Sequence, residues 1–223
     1  MSGRRIPLVT GEYYHVYNRG ITRQPTFLTK WDYEQTISTL SYYLTPNPPV
    51  RLSRFKELSV EQRNQILHQL EKEGRKLVEI ISFILIPNHF HMLLRQTTDQ
   101  GITKFISLVV NSYTRYFNTK HRRVGPLFQG VFKAARVETE GQLLHLSRYI
   151  HLNPLVSYVV KEKDFLSYPW SSLPDFLRGK SPLITIEPIL SHFSSPKKYQ
   201  EFVLDQAGYA KKLERIKHLT LEE

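Results

Sequence analysis

The sequence predicts an α+β fold, an antiparallel sheet with helices packed on one face. Three observations predict it. Apolar and aromatic residues alternate over short runs at 12–20, 78–95 and 131–138, the two-residue period of strands. Between and after these runs, apolar residues recur three and four apart, the period of helices. The resulting order, strand, helix, strand, strand, helix, strand, helix, is that of a ferredoxin-like sandwich.

The first strand is Glu12-Tyr13-Tyr14-His15-Val16-Tyr17-Asn18-Arg19-Gly20, ending at Gly20. Thr29 is placed to cap a helix running through Tyr33, Ile37, Leu40 and Leu44, and Pro46, Pro48 and Pro49 end it. Residues 45–77 are charged, with a thin apolar stripe (Ile66, Leu67, Leu70) after a capping-box pattern at Ser59. They predict an inserted helix covering the sheet edge rather than a domain. A hairpin follows, its two apolar runs broken by the turn pair Pro87-Asn88. Ile102, Phe105, Ile106, Val109, Tyr113, Tyr116 and Phe117 mark a strongly amphipathic helix.

After the loop 125–130 comes a short strand, then a helix from Glu140 that Pro154 is expected to stop. Its apolar stripe is Leu143, Leu146 and Ile150; its polar one is Gln142, His145, Tyr149 and Asn153. Tyr168-Pro169-Trp170-Ser171-Ser172 reads as an aromatic turn. One further helix is predicted at 199–206, followed by a Lys-rich end. We divide the chain into a principal domain, 1–180, containing the 45–77 insertion, and a C-terminal helical extension, 181–223.

Composition narrows the partner. Lys and Arg number 31 against 20 Asp and Glu, a net charge of +11, which favours a polyanion, most simply nucleic acid. No long apolar span or signal-peptide pattern points to a membrane. Cysteine is absent, so disulfides and thiolate metal sites are excluded and an intracellular, cytoplasmic setting is expected.

His89 and His91, two apart on a strand, share a face. Two imidazoles together are half of a metal site; they are equally compatible with two unrelated strand histidines. Tyr149 and Asn153, one helical turn apart, also project together. If that face meets the histidine strand, the cluster holds two imidazoles, an amide oxygen and a phenol. Such a neutral donor set suits magnesium or manganese engaged with a phosphate. The phenol would attack phosphorus, although ionising it at pH 7 costs roughly 4 kcal/mol without help from nearby cations. His145, one turn before Tyr149, is a candidate proton relay, or simply a surface histidine. Tyr149 is one of 13 tyrosines, and a helix tyrosine usually serves packing.

Several stretches, in order, resemble one family. They are Tyr14-His15-Val16-Tyr17-Asn18-Arg19-Gly20, Pro87-Asn88-His89-Phe90-His91-Met92-Leu93-Leu94, Gly125-Pro126-Leu127-Phe128-Gln129-Gly130-Val131-Phe132-Lys133, Arg148-Tyr149-Ile150-His151-Leu152-Asn153-Pro154 and Tyr168-Pro169-Trp170-Ser171-Ser172. The set resembles the REP-associated tyrosine transposases of the HUH endonuclease superfamily. The resemblance implies an HUH nuclease fold, His89, His91 and Asn153 as metal ligands, and Tyr149 as nucleophile. It also implies cleavage of single-stranded DNA beside a hairpin and favours a monomer with its active site in cis, the alternative being a dimer that exchanges the tyrosine helix, as the similar transposases of insertion elements do. Phe128 stands where the family often has Trp, and the 45–77 insertion is longer than in compact members.

Arg19, Lys104, Arg115, Arg122, Arg123, Lys133 and Arg136 are the candidates for DNA backbone contacts. Tyr17, Phe128 and Trp170 are candidates for stacking on bases, Trp170 the more structural of them. The competing function is a non-catalytic hairpin DNA- or RNA-binding protein on the same scaffold.

Overall fold

The computed structural model describes residues 7–207. It contains four strands, β1 (Tyr13–Arg19), β2 (Val78–Ile86), β3 (His89–Gln96) and β4 (Lys133–Val137), in one antiparallel sheet of order β2-β3-β1-β4. The helices are α1 (Lys30–Tyr42), α2 (Leu52–Glu57), α3 (Val60–Glu73), α4 (Gly101–Lys120), α5 (Glu140–Val156), α6 (Glu162–Phe165), α7 (Leu173–Arg178), α8 (Glu187–Leu190) and α9 (Pro196–Asp205). The element order through α5 is the expected one, with α2 and α3 forming the insertion. The Lys-rich segment after 207 lies outside the described residues.

The sheet is antiparallel, but helices lie on both of its faces, not one. Phe90 of β3 meets Phe128, which packs on Tyr113 of α4. The adjacent His91 meets Tyr149 of α5. Neighbouring strand residues point to opposite faces, so α4 and α5 sandwich the sheet. The pattern of β2 carries the reason: its run from Ile80 to Ile86 is continuously buried, which one covered face could not achieve.

The insertion does not cover a sheet edge. Its α2 packs on the end of α1, with Tyr42 and Phe55 rings 4.8 Å apart and Tyr42 Oη donating to the Val50 carbonyl at 2.6 Å. The outer edge of β2 is instead closed by the aromatic turn and by the chain at Thr185. Leu85 N donates to Trp170 O (2.9 Å), Ser172 N to Phe83 O (3.0 Å) and Thr185 N to Ile80 O (2.8 Å). Trp170 also stacks on Tyr33 of α1 at 4.8 Å, a structural role.

Pro154 does not stop α5, which runs on to Val156. A proline removes one amide, here the donor to the carbonyl four residues back, and its fixed φ is itself helical, so a final turn survives. Past it, Ser157 N donates to Asn153 O, and Val159 N and Val160 N donate to Pro154 O, closing the helix end. On the outer side of α5 lie α8 and α9, so the C-terminal extension backs the tyrosine helix. Among the described residues no helix is long and apolar enough to cross a membrane.

Candidate functional site

On the α5 side of the sheet a cleft of ≈ 760 Å³ opens between β1, β3 and α5. Its walls come from local sequence patterns. The two-residue period of β1 brings His15 and Tyr17 to the cleft side, and Arg19 lines the cleft where the strand ends; the same period on β3 brings His89 and His91. The helical period of α5 brings His145, Tyr149 and Asn153 to the opposite wall. The structure therefore draws together, in one chain, the histidine pair and the polar stripe.

The Tyr149 ring stands edge-on to the His91 ring, with centroids 5.5 Å apart, and lies 6.1 Å from His15. Tyr149 is 49% exposed, open to a macromolecular ligand. Asn153 is buried at the cleft floor, with Ser157 Oγ donating to its Oδ1 at 3.4 Å.

The histidines are held in definite orientations. His89 Nδ1 lies 2.7 Å from Asn88 Oδ1, an atom that only accepts, so this nitrogen carries the proton and Nε2 keeps its lone pair. His91 Nδ1 lies 2.8 Å from His15 Nε2. With the proton on His91 Nδ1, the Nε2 of His91 is likewise a free donor atom. Burial lowers the pKa of His15 to about 4, and burial together with the Arg19 charge lowers that of His89 to about 4. His91 is depressed further by burial, His89, His15 and Arg19. All three are neutral at pH 7, the state in which imidazole binds a metal. Two imidazole nitrogens and an amide oxygen around a polar cleft fit a hard or borderline divalent cation with open positions. Among the described residues there is no cluster of three or more His, Asp or Glu side chains suited to a metal; Asn153 lines the same cleft as the two histidines.

His145 is in the cleft, but its Nδ1 is taken by Arg148 Nη2 at 2.6 Å. A guanidinium can only donate, so this nitrogen is the acceptor for Arg148. Arg148 itself lies on the Phe202 ring of α9 at 4.3 Å. Sequence reasoning passed over both His15 and Arg148 as site residues; the alternation of β1 carries the signal for His15.

The basic candidates divide. Arg19 lines the cleft, and Lys133 lies across the β1–β4 ladder from Tyr17, hence on the cleft face. Arg136 pairs with Tyr14 on the opposite face and is bound to Glu12 at 3.0 Å. Lys104 and Arg115 are on exposed positions of α4, across the sheet from the cleft. Arg122 and Arg123 lie in the loop after α4, where Arg123 donates to Asn118 Oδ1 at 3.3 Å. Of the stacking candidates, Tyr17 lines the cleft and lies 5.5 Å from His91. Phe128 is 5% exposed, packed between Phe90 and Tyr113, and has no face to offer a base.

Residues 36–153, more than half of the chain and including His89, His91, Tyr149 and Asn153, match the family model described as "Transposase IS200 like". The chain belongs to the IS200-like transposase family. Among solved structures it is similar to a REP-associated tyrosine transposase bound to a REP hairpin. That match has a TM-score of 0.54 and 16% identity, and it covers 83% of this chain and 91% of the other. The likeness shows a shared fold. No curated protein matches.

Proposed function

We propose that the protein is a metal-dependent endonuclease and strand transferase that cuts single-stranded DNA beside a hairpin through a covalent 5′-phosphotyrosine. The observation that carries this reading is the approach of Tyr149 to His91, ring to ring at 5.5 Å, within one chain. A family of transposases and a fold neighbour solved on a REP hairpin support DNA, and a DNA hairpin, as the partner.

His89, His91 and Asn153 would hold the cation, magnesium or manganese. When bound, it supplies Lewis-acid polarisation of the scissile phosphate and stabilises the added negative charge. The remaining roles belong to the chain. Arg19 and Lys133 hold the DNA backbone against the cleft by its phosphates. The Tyr149 oxygen attacks phosphorus, forming the tyrosine ester as the bond to the 3′-oxygen breaks. The phenol proton passes to solvent, and the departing oxygen takes a proton to become a 3′-hydroxyl. The ester preserves the transfer potential of the phosphodiester, so a 3′-hydroxyl can reverse the step and rejoin strands without ATP. With nucleophile and ligands in one protomer, we assign a monomer acting in cis, working in the cytoplasm on chromosomal DNA.

The test is adduct formation. A hairpin oligonucleotide from DNA flanking the gene is incubated with the protein and Mn²⁺ and resolved on a denaturing gel. A protein–DNA adduct is expected, lost with chelator and lost in Tyr149→Phe, which still binds the hairpin. A surviving adduct in Tyr149→Phe would move the nucleophile to another tyrosine. Chelator-insensitive binding with no cleavage would favour a pure binding protein.

A further inference from the structure

The opposite side of the sheet carries a second groove, between α1, α2 and α4, with a volume of ≈ 710 Å³. Arg51 and Lys56 of the insertion face Arg115 and Lys120 of α4 across it, and no carboxylate lines it. Lys120 is already bound to Asp32 at 2.7 Å. Arg51, Lys56 and Arg115 form no ion pair among the described residues, although Arg54, beside them on α2, is paired with Glu57. The Lys56 ammonium has a neutral partner, Gln35 Oε1, at 2.6 Å. Three cations that form no ion pair among the described residues thus line one groove whose walls are otherwise mostly apolar, and together they attract an anion. In a chain of net charge +11 from a transposase family, the fitting anion is DNA.

We propose that this groove holds the phosphodiester backbone of the single strand that flanks the hairpin, a second DNA contact built by the insertion. The assignment rests on the hairpin-cutting reading above. The size of the groove selects the single strand: it accommodates a sugar and its phosphates, as small-ligand sites of this volume do, whereas a duplex would touch only its rim. The groove and the catalytic cleft lie on opposite faces of the sheet, so a strand engaging both must pass round a sheet edge. The half-buried Tyr116 ring at the groove adds an aromatic surface beside the cations, a combination suited to unpaired DNA.

The experiment measures anisotropy of two labelled probes over a range of KCl: a hairpin with single-stranded oligothymidine tails, and the same hairpin without tails. The variant is Arg51→Ala/Lys56→Ala/Arg115→Ala, with Arg51→Lys/Arg115→Lys as the charge-retaining control. Each phosphate that is no longer neutralised takes about 0.7 from the salt slope of a single strand, so on the tailed probe the slope of the triple variant should fall by about 2. Affinity for that probe should drop roughly tenfold or more. The tail-free hairpin should bind the variant as it binds the wild type, and the charge-retaining control should behave as wild type on both probes. Mn²⁺ binding by the triple variant should be unchanged, which shows an intact fold. An unchanged slope on the tailed probe overturns the proposal. An equal loss on both probes overturns it too, by assigning the cations to the stem. Failure of the hairpin-cutting reading is seen separately, in a wild-type protein that neither prefers a hairpin to an unstructured oligonucleotide nor forms an adduct.

Discussion

His15 Nε2 and His91 Nδ1 are 2.8 Å apart, joining β1 to β3 through a hydrogen bond between a half-buried and a buried ring. Under the proposed function, the bond ties strand pairing to the metal site. With His15 as acceptor, the His91 proton sits on Nδ1 and the lone pair of Nε2 is presented to the cleft. In the reverse arrangement Nε2 of His91 carries the proton and has no lone pair to offer a cation.

Replacing the acceptor therefore tests a metal site without reference to turnover. His15→Phe keeps the ring and removes the acceptor; Mn²⁺ affinity should fall about 10- to 100-fold. His15→Gln, which offers an amide oxygen, should recover part of it. Mn²⁺ electron paramagnetic resonance or calorimetry reads both, and wild-type affinity in His15→Phe would remove His15 from the metal site.

Asn153 should behave as a ligand whose charge can be tuned. Asn153→Ala removes the amide oxygen and should weaken Mn²⁺ binding by about tenfold or more. Asn153→Asp supplies an anionic oxygen and should bind Mn²⁺ more tightly, while lowering the rate of adduct formation because the added charge opposes the incoming phosphate. Identical Mn²⁺ affinity in all three proteins would leave the site with only its two histidines.

Much of this arrangement was legible in the sequence because it rests on short periods. The two-residue alternation fixed the shared face of His89 and His91, and the helical period put His145, Tyr149 and Asn153 on one stripe. What failed depended on contacts far apart in the chain. No local pattern says that Phe128 is enclosed by Phe90 and Tyr113. The number of helical layers was also hidden, although the unbroken apolar run of β2 carried that signal. The insertion misled for a similar reason. Its stripe is thin because α3 is mostly exposed, and the sheet edge it was expected to cover is closed by Trp170 and Thr185 from much later in the chain.

A second structural prediction concerns Asp32, which is wholly buried and joins the start of α1 to the end of α4. It accepts from Leu28 N (3.0 Å), Thr29 N (2.8 Å) and Lys120 Nζ (2.7 Å). Burial raises its pKa, but the Lys120 ammonium and the backbone amides outweigh burial and hold it below the ordinary carboxylate value. Asp32→Ala leaves two amides and an ammonium without their acceptor and should cost about 3 kcal/mol. In a chain of this size that lowers Tm by roughly 6–12 °C. Asp32→Asn keeps an acceptor for the amides and should cost about half as much. Calorimetry decides, and an Asp32→Ala protein melting with the wild type would reduce the network to decoration.

The last prediction uses the fully buried His151, which anchors the back of the tyrosine helix. Its Nδ1 lies 2.6 Å from Tyr199 Oη of α9 and its Nε2 lies 2.8 Å from Ser172 Oγ, which in turn accepts from Phe83 N of β2 at 2.9 Å. Burial lowers the His151 pKa from 6.5 to about 3. A histidine depressed on folding takes up protons in the unfolded chain first, so unfolding is favoured by acid. Its neutral folded form is without penalty above pH 6.5, and stability is lost as pH falls from there toward 3. At pH 4.5 the loss from this one group is on the order of 2–3 kcal/mol. His15, His89 and His91 act in the same direction, so the wild-type curve alone does not isolate it. Urea denaturation of wild type and His151→Gln at pH 7.5 and pH 4.5 does. The variant should be the less stable protein at pH 7.5, where it lacks a well-matched hydrogen-bond partner for Tyr199 and Ser172. Between the two pH values it should lose less stability than the wild type, by about the amount assigned to His151. An equal loss in both proteins would mean that His151 is protonated in the folded state, and that the contact between α5 and α9 is held by an imidazolium.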